Sequence, residues 1–252
     1  MKNSDNNFLK FERDGLDFPY YNGQPAGFTV VKAFILTIIS AMSVILYIYL
    51  LSTPVSPVIL SFTILVIPLC SLMIVVRSGW TKLYKKLCFT DIFIIIGTFI
   101  VIKISSTLVG YLFIISGVIH QGSGTNPIVN IIQSNSNLNN ILLLFNTFVQ
   151  LCGEEVITII PFLCIMFICV KKYNMSRKSA TILAWIVSAI IFGALHLSTY
   201  NWNVIQAVVG IGITRLLLTY PYIKTKNLWV SSFVHILNDW SIFIPVILQN
   251  IK

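Results

Sequence analysis

The sequence predicts an all-α, polytopic transmembrane bundle of about seven helices, and three observations lead to that class. Of 252 residues, 56% are hydrophobic and only 10% are charged, against about a quarter charged in soluble domains. Mean hydropathy is +0.87, which would leave a soluble fold of this length without a polar surface. Long apolar stretches also alternate with connections that are either rich in lysine and arginine or free of both.

A spanning helix needs about 20 mostly apolar residues. Candidate spans lie at 28–52, 57–76, 90–119, 140–170, 179–199, 203–221 and 227–248. The first begins near Phe28, is too long for the core of a cleaved leader and lacks a small-residue cleavage site. It reads as a retained anchor. Ahead of it, residues 11–25 combine turn chemistry (NGQP) with aromatics suited to a membrane surface. Basic residues cluster in that tail (Lys2, Lys10, Arg13, Lys32) and in three connections: Arg77, Lys82, Lys85 and Lys86; Lys171, Lys172, Arg177 and Lys178; Lys224 and Lys226. The connections 53–56, 120–139 and 200–202 carry none, so 14 of the 17 basic residues fall on one side. The positive-inside rule makes that side the cytoplasm, with the N-terminus inside and the C-terminus outside. The net charge of +9 is therefore a topology signal, and no nucleic-acid partner is expected. The stretch 77–87 reads as a basic, aromatic segment along the inner interface, suited to anionic headgroups. Residues 120–139 form an outer loop with a short dipping segment at IVNII. Three regions follow: an interfacial N-terminal segment (1–27), a three-span region (28–139) and a core (140–252). High Ile, Asn and Lys usage points to the cytoplasmic membrane of a bacterium with an AT-rich genome. The five cysteines (Cys70, Cys88, Cys152, Cys164, Cys169) form no CxxC pair and read as apolar packing residues.

Ionisable groups at membrane depth are costly and mark function. They are Asp91, Lys103, Glu154, Glu155, His196, Arg215, His235 and Asp239. Asp91 suits a solvated helix start, whereas Lys103 falls mid-span without an evident reason. Glu154 and Glu155 are adjacent, and two carboxylates in low dielectric cannot both ionise cheaply. They point about 100° apart on a helix, so one can face a cavity while the other is held by hydrogen bonds. His235 and Asp239 stand one helical turn apart, a spacing that lets a carboxylate fix an imidazole tautomer. Asn238 is rotated away from that face. With straight helices His196 and His235 would miss each other by roughly 10 Å or more, unless long, tilted or broken helices close the gap.

Glu154-Glu155, then Phe192-x-x-x-His196, then His235-x-x-x-Asp239, in this order on separate apolar spans, resemble the CAAX-protease and bacteriocin-processing (Abi) family of intramembrane endopeptidases, over about residues 140–245. Gly210, Gly212 and the stretch 226–239 resemble its approach to the last histidine. The family's Glu-Glu motif carries Arg four residues after the second Glu; here that position is Ile159. Arg215, on the sixth span, is a candidate source of the missing charge. The resemblance implies that Glu154 activates a water, assisted by His196, while His235 and Asp239 steady an oxyanion or shuttle a proton.

No cofactor is expected, although Glu154, His196 and His235 form an alternative ligand set for a divalent metal such as zinc. The leading expectation is an intramembrane Glu/His hydrolase acting on a peptide, a lipidated peptide or a lipoprotein. Acyl transfer in lipoprotein N-terminal acylation and a non-catalytic bacteriocin-immunity or scaffold protein are the alternatives. Expected partners are membrane lipids, the peptide or lipoprotein substrate and a further protein of the same pathway.

Overall fold

The structure, a computed structural model, describes residues 7–24, 27–119 and 128–250. Its helices are α1 (Val30–Leu51), α2 (Pro57–Val76), α3 (Phe89–Ile115), α4 (Ile128–Ser134), α5 (Asn137–Lys171), α6 (Arg177–Leu195), α7 (Gly212–Thr225) and α8 (Leu228–Asn250). A 3-10 segment (Arg77–Leu83) follows α2, and a π-helical segment (Ile205–Ile211) leads into α7. Six of the described helices are long and apolar enough to cross a membrane: α1, α2 with its 3-10 extension, α3, α5, α6 and α8.

The organising element is α5. Its 35 residues give a rod about 52 Å long, well beyond an apolar bilayer core of about 30 Å. Hydrophobic residues occupy all its faces, as a helix enclosed by others requires. Of its most apolar window, 83% is buried, against 11% for α3. Helices α1 and α2 pack on one side of α5 and α6 and α8 on others; α7 and α3 lie beyond α6 and α8. The exposed face of α3, with Phe93, Ile100 and Ile104, is the surface expected to meet lipid.

The expected span 203–221 takes another form. The π-helical turn interrupts it, only 14 residues remain α-helical, and Arg215 within them is fully buried. The π segment sits so close to α6 that a Cβ on Gly193 would stand 2.7 Å from the Ala207 carbonyl oxygen. The dipping segment expected at IVNII is α4, whose Ile132 is buried with Phe243 and Ile247 of α8; residues 120–127 of the same loop lie outside the described residues.

The N-terminal segment does more than lie on a surface. Phe18, Tyr20 and Phe28 join the main hydrophobic core, with Phe18 against Phe162 and Tyr222. Glu12, 6% exposed, accepts from Arg177 Nη1 and Nη2 at 2.9 and 2.7 Å and from Lys226 Nζ at 2.6 Å. Lys226 also donates to the Ile223 carbonyl and is held at φ +53°, a left-handed conformation that a lysine adopts at some cost. The Arg13 N–H donates to the Lys224 carbonyl, Tyr20 Oη donates to Gly79 O at 2.9 Å, and Arg13 pairs with Asp91 at 2.6 Å. Residues 7–24 are thus a folded cap that gathers the basic connections at one end of the bundle. Asp91, 1% exposed, is buried in that cap, where it also accepts the Cys88 N–H; the solvated helix start expected for it is corrected. Cys88 takes a hydrogen bond from Arg13 Nη1 instead of packing in an apolar core.

Candidate active site

Midway along α5 the sequence places Gly153, Glu154 and Glu155. Gly153 is where α2 crosses: a Cβ there would stand 2.7 Å from Ile64 Cγ2 and 2.9 Å from the Leu65 backbone nitrogen. That close crossing fixes the rotation of α5 beside the glutamates. Glu155 points inward with no exposed surface, while the Glu154 side chain keeps 12% of its surface open.

Glu155 is the hub. Its two carboxylate oxygens accept from Arg215 Nη1 at 2.6 Å and Nη2 at 2.9 Å, a bidentate pair. Arg215 reaches across from α7, its Nε donating to Thr219 Oγ1 and its guanidinium 5.0 Å from the centre of the Phe192 ring. A buried ion pair needs this geometry to offset its desolvation. The pair occupies the electrostatic role that the arginine at position 159 has in the resemblance; Ile159 itself is fully buried in the apolar core. Glu155 Oε1 also lies 2.9 Å from His235 Nδ1. A carboxylate bound to arginine can only accept here, so Nδ1 carries the proton and Nε2 is the nitrogen turned away from Glu155.

That Nε2 faces Glu154 Oε2 at 3.8 Å. The separation is too long for a direct hydrogen bond and suits one bridging oxygen. The other Glu154 oxygen, Oε1, accepts from Gln150 Nε2 at 2.9 Å. Gln150 escaped the sequence reading, although an amide one turn before a buried glutamate on an apolar helix is a legible signal.

The tautomer of His235 is set by Glu155, not by Asp239. Asp239 Oδ1 accepts from the Asn238 side chain at 2.9 Å, and the stacking expected from the four-residue spacing does not produce a hydrogen bond to His235. The spacing puts two side chains on one face; it does not decide which of several carboxylates reaches the ring first. Asn238, expected to point elsewhere, holds Asp239 through its side chain while its carbonyl accepts Lys103 Nζ at 3.0 Å. This gives the mid-span lysine a partner. His196 caps the end of α6, its Nδ1 2.9 Å from the Phe192 carbonyl oxygen. Its ring centre lies 4.7 Å from that of Phe192, and His235 lies 6.4 Å from the same phenyl ring. Both imidazoles therefore pack against the Phe192 ring. Among the described residues no three His, Cys, Asp or Glu side chains converge as a metal site requires, Glu154, His196 and His235 included.

Residues 136–241 match the family model described as Type II CAAX prenyl endopeptidase Rce1-like. This segment is similar to the CAAX-protease family. The match begins at the N-cap of α5 and ends within α8, so the matched segment holds Glu154, Glu155, Arg215, His196 and His235, together with Phe192 and Asp239. The chain matches no curated protein and no solved structure. Six helices long and apolar enough to cross a membrane, together with a segment similar to a membrane protease family, support a membrane protein.

Proposed function

We propose that the chain is a peptide hydrolase of the bacterial cytoplasmic membrane, acting on a peptide or lipidated peptide such as a lipoprotein. In this reading a water bridges Glu154 Oε2 and His235 Nε2. Glu154 takes a proton from that water as its oxygen attacks the scissile carbonyl carbon, and the proton passes on to the leaving nitrogen as the C–N bond breaks. Glu155 and Arg215 act through His235: they orient the ring and balance its charge in a desolvated site, where a preformed electrostatic arrangement has most effect. His196 assists from the rim, its ring braced by Phe192. Asp239, lacking a bond to His235, tunes the local field beside Lys103.

The observation that carries the reading is the 3.8 Å separation between Glu154 and a His235 whose other nitrogen is tied to a fully paired Glu155. Comparative mass spectrometry tests it on lipoproteins and membrane peptides from cells carrying the wild-type chain, Glu154→Gln, or no gene. Peptides shortened only in the wild-type cells support hydrolysis. A changed N-terminal acyl state at unchanged length identifies acyl transfer instead, and indifference to Glu154→Gln identifies a non-catalytic role.

A further inference from the structure

A concavity lies at the capped end of the bundle, away from the glutamates. It has a volume of about 290 Å³ and is walled by the N-terminal cap on one side and the segment 82–85 on the other. Lys82, Tyr84 and Lys85 line it from that segment; Asp17, Asn22 and Gln24 line it from the cap, beside Phe18 and Tyr20. Neither ammonium has an ion-pair partner among the described residues, whereas Asp17 is already bound by Arg177 Nε at 2.8 Å and by Tyr21 Oη at 2.7 Å. The Lys85 backbone is fixed from both sides by Asn227, which accepts its N–H at 3.0 Å and donates to its carbonyl at 3.1 Å. Burial, and then the nearby Arg13 charge, draw the Lys85 ammonium below its usual pKa, and Asp17 only partly offsets them. This is a cation short of counter-charge.

The surroundings place the concavity at a lipid boundary. Trp80, Tyr84, Trp229 and Phe233 form a continuous aromatic ladder, with successive ring centres 6.0, 5.1 and 6.2 Å apart. Tyr84 belongs to both the ladder and the wall. Trp and Tyr gather at membrane interfaces, and beside them Leu87 and Phe89 are 49% and 73% exposed. Two unpaired ammonium groups and two side-chain amides, next to an interfacial aromatic ladder, can grip a phosphodiester while acyl chains run down the exposed apolar face.

We propose that this concavity is a binding site for the phosphate headgroup of an anionic phospholipid, gripped by Lys82 and Lys85. The site is independent of the hydrolytic reading. It is tested on the full chain, purified in detergent and mixed with phosphatidylglycerol or phosphatidylcholine, by native mass spectrometry. The wild-type chain retains phosphatidylglycerol over phosphatidylcholine by a factor on the order of ten. Lys82→Gln/Lys85→Gln loses that preference, while Lys172→Gln/Lys178→Gln keeps it; the latter removes equal charge from exposed positions at the same end. Excess inorganic phosphate leaves the lipid bound. Equal retention of both lipids by the wild-type chain, equal loss in both double variants, or displacement of the lipid by phosphate alone would each overturn the proposal.

Discussion

At the scale of single residues, the arrangement separates two chemically identical neighbours into two roles. Glu155 is buried and fully paired; Glu154 keeps one oxygen for Gln150 and turns the other towards His235. Glu154→Gln or His235→Ala is expected to lower turnover by on the order of 10²-fold or more, with thermal stability little changed for Glu154→Gln. Asp239→Asn retains most activity, because no hydrogen bond joins Asp239 to His235; steady-state kinetics on purified variants checks the contrast. The motif residues were legible in the sequence as costly groups in apolar spans. Their partners were not, since Arg215 and Glu155 are 60 positions apart and only the packing of α5 against its neighbours decides that they meet. In the cap, burial alone would raise the Glu12 pKa, but the bonds from Arg177 and Lys226 outweigh it and hold the carboxyl below its usual 4.5. The unfolded chain thus takes up the Glu12 proton at higher pH than the folded one. The stabilisation is complete above about pH 4.5 and is lost as pH falls through the lower folded value. Lys226 has the same sign from the opposite cause: burial lowers it from 10.5 to about 8 despite the counter-effect of Glu12, so its contribution to stability also grows as pH rises through that interval. Thermal unfolding in detergent should therefore show an acid-side decline in the wild-type chain that flattens in Glu12→Gln.

At the scale of elements, two close helix crossings and one cap hold the site in place. Gly153→Leu forces a side chain into the backbone of α2, where even a Cβ meets Leu65 N at 2.9 Å. Overpacking of this kind costs about 1–3 kcal/mol, and here it also rotates the glutamates, so activity falls more than the melting temperature accounts for. Glu12→Gln leaves Lys226 without its carboxylate and Arg177 with only Asp17; breaking a buried pair costs about 3–5 kcal/mol, read as a lowered thermal midpoint. The spans were legible in the sequence because hydropathy and length alone define them: α1 and α2 lie within a few residues of expectation. The sixth was not, because hydropathy does not register a π-helical turn, and neither Gly210 nor Gly212 marks where helical geometry changes. The cap was missed for a related reason. Its aromatics look the same whether they lie on a membrane surface or plug a bundle, and the ion pairs that decide the matter join Glu12 to residues 165 and 214 positions away.

At the scale of the whole molecule, a long central helix carries the acids at mid-length, α6, α7 and α8 supply the histidines and the arginine, and the cationic connections close one end. Charge alternation predicted which connections belong together, and the cap contacts join all of them through one short segment. The chain departs at Ile159 from the motif of the family its segment resembles, yet the guanidinium arrives from α7. If Arg215 is the functional replacement, charge delivered from either position should serve the same carboxylate, because residue 159 lies one helical turn beyond Glu155. The most direct measurement is the turnover of the cleaved peptide by the wild-type chain, Arg215→Met, and Arg215→Met/Ile159→Arg, each first shown by thermal unfolding to be folded. Arg215→Met is expected to lose on the order of 10²-fold or more, and the double variant to recover a substantial part of it. A folded Arg215→Met chain that turns over at the wild-type rate would contradict the role given to Arg215.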